Sequence, residues 1–177
     1  MESRLNRRPL IAAGTLLGIG LGGFIDGIVF HQILQWHQML TGKYPRTGLD
    51  PQAIIVNMEV NMFWDGLFHA ITWLATAIGL ALLWRAMGRA DVPRSTPTLL
   101  GSLAFGWGVF NLVEGIIDHH LLHLHHVIEG PNHLVFDLAF LASGVLLMLF
   151  GLGLMRLAVP NERPAESSNW PGTPRPI

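Results

Sequence analysis

Four long apolar runs alternate with polar segments along the chain. Each run approaches the ~20 residues that an α-helix needs to cross ~30 Å of hydrocarbon. The runs cover residues 10–30, 67–84, 99–117 and 134–155. The sequence therefore predicts an all-α integral membrane protein with four transmembrane helices. Allowing for flanking turn residues, we expect these helices at 9–40, 58–85, 97–127 and 133–157.

The chain also matches itself when it is shifted by 88 positions. Nine identities lie between positions 9 and 42, namely Pro9, Gly18, Gly20, Gly27, Ile28, His31, Leu34, His37 and Gly42 with their partners. The second helices match at an offset of 72, which places Asp65 on Asp137. We therefore predict a four-helix bundle made of two parallel copies of a helical hairpin, 9–85 and 97–157, related by a two-fold axis along the membrane normal.

Basic residues are unevenly distributed around the predicted helices. Nine arginines lie at the termini and in the middle loop: Arg4, Arg7, Arg8, Arg85, Arg89, Arg94, Arg156, Arg163 and Arg175. Only Lys43 and Arg46 lie in the first outer loop. Because basic flanks are retained in the cytoplasm, both termini are predicted to be cytoplasmic. Residues 1–8 form a basic lead, and the proline-rich tail, residues 158–177, is predicted to be disordered.

The composition is typical of a membrane protein and limits the classes of partner that can be expected. The chain is 50% hydrophobic and 13% charged, whereas a soluble domain carries about 25% charged residues. The lipid bilayer is therefore the expected partner. A net charge of -1 gives no reason to expect nucleic acid. The absence of cysteine excludes thiolate metal ligands, and the sequence leaves protein partners and homo-oligomerisation open.

A set of acids and histidines is predicted to lie at one level near the outer ends of the four helices. The level follows from counting inward from the flanking arginines at ~1.5 Å per residue. The set is Asp26, His31, Asp65, His69, Glu114, Asp118, His119, His133 and Asp137. Ionisable groups in a membrane cost about 2.5 to 3.5 kcal/mol each. Since no lysine or arginine lies at this level to neutralise the acids, another source of positive charge is expected.

Mixed carboxylate and imidazole ligands are typical of transition-metal sites. We therefore predict that these nine residues bind one or two ions of Zn, Fe, Mn or Cu, and a periplasm-facing metal-dependent enzyme is one hypothesis. A structural or assembly role without catalysis is another. A proton or metal-ion transporter would use the same residues, but the inner halves of the helices contain no ionisable residue. A haem site is disfavoured by the many acids.

Two groups of residues are expected to contribute less to such a site. His31 follows Asp26 by five residues, which is about 140° around an α-helix, so His31 joins only from the edge of the interior face, and the same limit applies to His119. Five further histidines lie at or beyond the outer interface and are expected to face solvent or lipid headgroups. They are His37, His120, His123, His125 and His126.

Three motifs resemble a known family. They are GFIDGIVFHQILQWH at 23–37, NMFWDGLFH at 61–69 and FNLVEGIIDHH at 110–120. In this order they are similar to a bacterial family of predicted membrane proteins labelled domain of unknown function 2243. The resemblance covers roughly residues 10–157. It implies a multi-pass protein of the bacterial inner membrane with four helices, and it implies no activity.

Overall fold

The computed structural model of the protein describes residues 5–158. Within these residues the chain forms four α-helices and no strand. They are α1 (Arg8–Ile25), α2 (Pro51–Met87), α3 (Thr96–Glu114) and α4 (His133–Leu157). α1 continues into a first π segment, Asp26–Ile33, and α3 into a second π segment, Gly115–Leu121. The first half of the predicted basic lead and nearly all of the predicted tail lie outside the described residues.

All four helices are long and apolar enough to cross a membrane, as predicted. α4 has the predicted bounds, but α2 begins at Pro51 rather than near residue 58. The earlier start is fixed by Asp50, whose Oδ1 accepts hydrogen bonds from the backbone N–H groups of Gln52 and Ala53 at 3.1 Å. An Asp cap followed by Pro at the first helical position is a strong start signal. At ~1.5 Å per residue, the 37 residues of α2 extend well beyond a ~30 Å hydrocarbon core.

The first and third spans end earlier than predicted, at Ile33 and Leu121 rather than at 40 and 127. The chain reverses immediately afterwards, at Gln35 with φ 52° and at His123 with φ 48°. This left-handed backbone conformation is uncommon for residues other than glycine. Because no glycine or proline lies at either turn, the sequence does not show where the chain reverses. The segments that follow, residues 34–42 and 122–130, fold back over the end of the helices. We call them the two cover segments.

α1 and α3 form a central pair, with α2 packed on α1 and α4 packed on α3. Glycines allow the close approach of the central helices. A Cβ atom at Gly18 would collide with the backbone oxygen of Leu103, and one at Gly106 with that of Thr15. Small residues therefore lie on the faces where α1 and α3 meet. Within residues 5–158, α2 and α4 do not contact each other, so the predicted bundle is built on one central pair.

The two cover segments are tied to each other and to α2. The Gly42 N–H donates to the Leu124 carbonyl at 2.7 Å, and the Thr41 hydroxyl donates to Glu129 at 2.9 Å. Asn61, fully buried on α2, accepts from the Leu40 N–H at 2.9 Å. The helix ends beneath these segments are therefore closed off.

Candidate metal centre

The π segments bring each interior acid onto the same face as the histidine five residues later. In a π-helix the hydrogen bonds run between residues five apart, so residues at that spacing lie nearly above one another. Nε2 of His31 lies 2.9 Å from Oδ2 of Asp26. Glu114 and His119 belong to one group whose ligand atoms all lie within 4.8 Å of one another. The expectation that His31 and His119 join only from the edge is therefore wrong, because it assumed α-helical geometry.

Six buried side chains converge under the cover segments. We call them the central cluster: Asp26, His31, His37, Glu114, His119 and His125. None is more than 4% exposed. Their ligand atoms form three overlapping triplets, each within 4.8 Å: His31, His37 and His125; Glu114, His119 and His125; and Asp26, His31 and Glu114. Four of these residues were in the predicted site, and His37 and His125 were not.

His37 and His125 lie at the middle of the cluster. Both are fully buried, so the expectation that they face solvent or headgroups is wrong. Their rings stack with centroids 4.5 Å apart and planes within 4°. The cause is the chain reversal after each π segment, which turns the cover segment inward. The match of these two histidines at the 88-residue offset was the available sequence signal.

The hydrogen bonds of His37 and His125 determine which ring nitrogen faces the cluster. Nδ1 of His37 lies 2.9 Å from the Val127 carbonyl oxygen, and Nδ1 of His125 lies 3.0 Å from that of Met39. A carbonyl oxygen only accepts, so each Nδ1 carries the proton. In the neutral ring, Nε2 then presents a lone pair to the cluster, which is the form that binds metals.

Asp65 and Asp137 lie behind the histidines. Oδ1 of Asp65 is 3.0 Å from Nδ1 of His31, and Oδ1 of Asp137 is 3.3 Å from Nδ1 of His119. These oxygens also accept backbone N–H groups of the cover segments, Met39 at 2.8 Å and Val127 at 3.0 Å. Carboxylates in this position orient metal-binding histidines. Asp65 therefore supports His31, to which it is hydrogen-bonded. The longer Asp137–His119 approach is not aligned as a hydrogen bond, so Asp137 is bonded to its cover segment and only close to His119.

The atoms at the centre of the cluster are buried without hydrogen-bond partners among the described residues. They are Nε2 of His31, His37, His119 and His125, Oδ2 of Asp26 and both carboxylate oxygens of Glu114. The short His31–Asp26 approach is not aligned as a hydrogen bond. Buried polar atoms in proteins are nearly always paired, and these atoms form groups that could hold a metal ion.

The histidines of the cover segments do not supply the missing charge. Burial lowers the pKa of His37 to about 4 and lowers the pKa of His125 well below its usual range, because desolvation disfavours the charged imidazolium. Both residues lie beyond the ends of the spans. Within residues 5–158, the ion-pair contacts of Asp26 and Glu114 are all to histidine. His37 and His125 therefore do not provide a positive charge for the two carboxylates.

Besides Asp65 and Asp137, three more residues of the predicted site lie outside the central cluster. Half-buried His69 places Nδ1 2.7 Å from the backbone oxygen of Asp65 on its own helix. His133 places Nδ1 2.9 Å from the Gly130 oxygen, and its ring packs on His126 with centroids 4.1 Å apart. Asp118 is half-buried. Among the described residues, none of the three belongs to a ligand triplet.

Comparison with known proteins identifies the family. No curated protein and no solved structure matches the chain. A family model described as a predicted membrane protein, DUF2243, matches residues 13–158. Because this match covers most of the sequence and all four candidate spans overlap it, the chain belongs to the DUF2243 family of predicted membrane proteins.

Proposed function

We propose that the central cluster binds one or two transition-metal ions and that metal binding is the function of this membrane protein. The observation that carries the proposal is the convergence of four imidazole Nε2 atoms and two carboxylates that are buried and unpaired. A bound divalent cation would satisfy these atoms and offset the negative charge of Asp26 and Glu114.

The spacing and chemistry of the ligand atoms fit such an ion. Imidazole and carboxylate ligands at about 2.0 to 2.2 Å from one ion lie roughly 3 to 4.4 Å from each other. The atoms of each triplet are within 4.8 Å of one another, so small movements complete the site. A majority of imidazoles favours Zn, Fe, Mn or Cu over Mg or Ca.

A site for two ions follows if the two hairpins are copies of each other. The contacts of the cluster support this, because they recur at the offset of 88 residues: His37 with the Val127 oxygen, and His125 with the Met39 oxygen. The two left-handed turns, Gln35 and His123, have the same offset. Each half then supplies one acid and two histidines, and the two-fold axis passes between the stacked rings of His37 and His125.

We further propose that the centre lies at the periplasmic end of the protein in the bacterial inner membrane. The arginines at the opposite helix ends support this orientation.

The inner parts of the helices favour an ion that stays bound over an ion that is transported across the membrane. Residues 9–25, 70–84, 96–113 and 138–155 contain no ionisable side chain, so no chain of ionisable groups leads from the cluster to the arginine side. The form of this proposal that we favour is a periplasm-facing metal-dependent enzyme.

Removal and return of metal should change stability. Chelator-treated protein in detergent is expected to unfold at a lower temperature than protein given one of Zn, Fe, Mn or Cu, because the ion binds only the folded cluster. At a free metal concentration 100 times Kd, linkage predicts about 2.7 kcal/mol of stabilisation. Thermal unfolding followed by circular dichroism measures this, with Mg as the control ion. Equal unfolding temperatures with every ion would contradict the proposal.

A further inference from the structure

A cavity of about 480 Å³ lies beside the central cluster, between α1, α3 and α4. Asp26 lies on its wall and is shared with the cluster, while Asn111 and Ser143 are the other polar residues of the lining. The volume is within the range of about 300 to 1,000 Å³ that is usual for small-molecule sites. The cavity therefore has the size and position of a pocket for a ligand at the metal centre.

Two of the residues that line the cavity carry a buried oxygen without a hydrogen-bond donor. Asn111 is 5% exposed, and its Nδ2 donates to the Ser143 hydroxyl at 2.9 Å. That hydroxyl in turn donates to the Phe140 carbonyl at 2.6 Å, which fixes the amide orientation. Oδ1 of Asn111 and Oδ2 of Asp26 remain without a hydrogen-bond partner among the described residues. Oδ2 of Asp26 belongs to the central cluster, so Oδ1 of Asn111 is the acceptor left for a cavity ligand. A complementary ligand must therefore donate a hydrogen bond to it.

The remainder of the wall is apolar and contains several aromatic rings. Phe30, Trp107, Phe140 and Phe150 all contribute to it. Leu146 and Phe150, also on the wall, are more than half exposed on the lipid-facing side of α4. An aromatic group could pack against these rings in offset or edge-to-face geometry, and it would enter from the membrane rather than from water.

The polar lining is present in only one half of the protein. The position 88 residues before Asn111 is Gly23, and the position 72 residues before Ser143 is Ile71. Conversely, Gly22 on the cavity wall corresponds to Phe110 in the second half. If the hairpins are copies, Asn111 and Ser143 are additions to one side of an otherwise similar scaffold. A purely structural role would not require the two halves of the protein to differ at these positions.

We propose that this cavity binds a lipid-soluble molecule with a phenol or hydroquinone head group and an apolar tail. The head group donates a hydrogen bond to Oδ1 of Asn111 and lies next to Asp26, and the tail passes between Leu146 and Phe150 toward lipid. Binding to the cavity does not depend on the metal. The further role of such a molecule as a substrate of the metal centre rests on the proposed function.

The test uses a fluorinated 4-hexylphenol and its methyl ether, which has the same shape but no donor. Binding to the full-length protein in lipid nanodiscs is followed by fluorine NMR, with empty nanodiscs as the baseline. We expect saturable binding of the phenol at one site per chain, and about 5- to 150-fold weaker binding of the ether, since an unpaired buried acceptor costs about 1 to 3 kcal/mol. Asn111→Leu should abolish this preference.

Two further variants locate the site. Leu146→Trp, at the opening of the cavity, should weaken phenol binding at least about tenfold by occupying the entrance. Leu74→Trp, at the corresponding position of α2, is the matched control and should bind the phenol normally. Equal binding of phenol and ether, or loss of binding in Leu74→Trp but not in Leu146→Trp, would overturn the proposal.

Metal content, measured on the same samples, separates this proposal from the proposed function. A metal-free protein that still prefers the phenol contradicts the metal centre alone. A metal-loaded protein without the preference contradicts the cavity alone.

Discussion

Replacing His125 with asparagine is expected to reduce metal affinity by more than about 100-fold. Loss of a residue that only orients a metal ligand typically costs 10- to 100-fold, and His125 offers a ligand atom to two of the three triplets. The shorter amide cannot place a nitrogen where the imidazole Nε2 lies. Competition of the purified variant with a fluorescent chelator measures the affinity, and His37→Asn should behave in the same way.

His123→Asn is the matched control for this experiment. His123 lies two residues earlier in the same cover segment, is exposed, and has a left-handed backbone that asparagine tolerates. Its metal affinity should stay within about twofold of the parent, the scatter expected of a position away from the ligands. Equal losses in His123→Asn and His125→Asn would indicate a general effect on folding, and unchanged affinity in His125→Asn would remove it from the site.

Replacing Glu114 with glutamine is expected to lower metal affinity by a similar factor and to raise the stability of the metal-free protein. The amide is nearly isosteric but carries no charge, so it is a poorer ligand for a cation. Without metal, Glu114 is a buried carboxylate with both oxygens unpaired. Glutamine removes the buried charge, and its N–H group can donate to the unpaired Nε2 of His125, which is worth about 1 to 3 kcal/mol. The metal-free variant should therefore unfold at a higher temperature than the metal-free parent.

Glu59→Gln controls for the loss of one negative charge. Glu59 is exposed on α2, outside the central cluster, so neither metal affinity nor the stability of the metal-free protein should change measurably. The combination of weaker metal binding and higher stability in Glu114→Gln is the signature of a ligand. A variant that binds metal normally and is less stable would instead assign Glu114 to helix packing.

Much of the fold could be predicted from the sequence, because each membrane span must satisfy its own backbone in lipid and is marked by a long apolar run. The helix ends were less predictable. α2 begins at Pro51 because Asp50 caps it, a local signal that the apolar pattern does not show. α1 and α3 change to π geometry within runs that are read equally well as α-helix.

Part of the site could be predicted because the apolar runs also give the depth of each polar residue along its helix. Asp26, His31, Glu114 and His119 share a level that can be counted along straight helices, and the structure places them together. His37 and His125 could not be found by counting, since they lie beyond turns made by Gln35 and His123 in a conformation that those residues rarely adopt. Asp65 and Asp137 were at the right depth, but only the side-chain contacts distinguish a supporting carboxylate from a ligand.

The metal content of the purified protein tests the central claim most directly. Protein is produced in cells supplied with Zn, Fe, Mn and Cu, purified in detergent without chelator, and analysed by inductively coupled plasma mass spectrometry against protein concentration from amino-acid analysis. The account predicts one or two transition-metal ions per chain, and a value below about one tenth in the His37→Asn, His125→Asn double variant, as expected when two ligands are lost. Metal-free parent protein from such cells, or equal metal in parent and double variant, would contradict it.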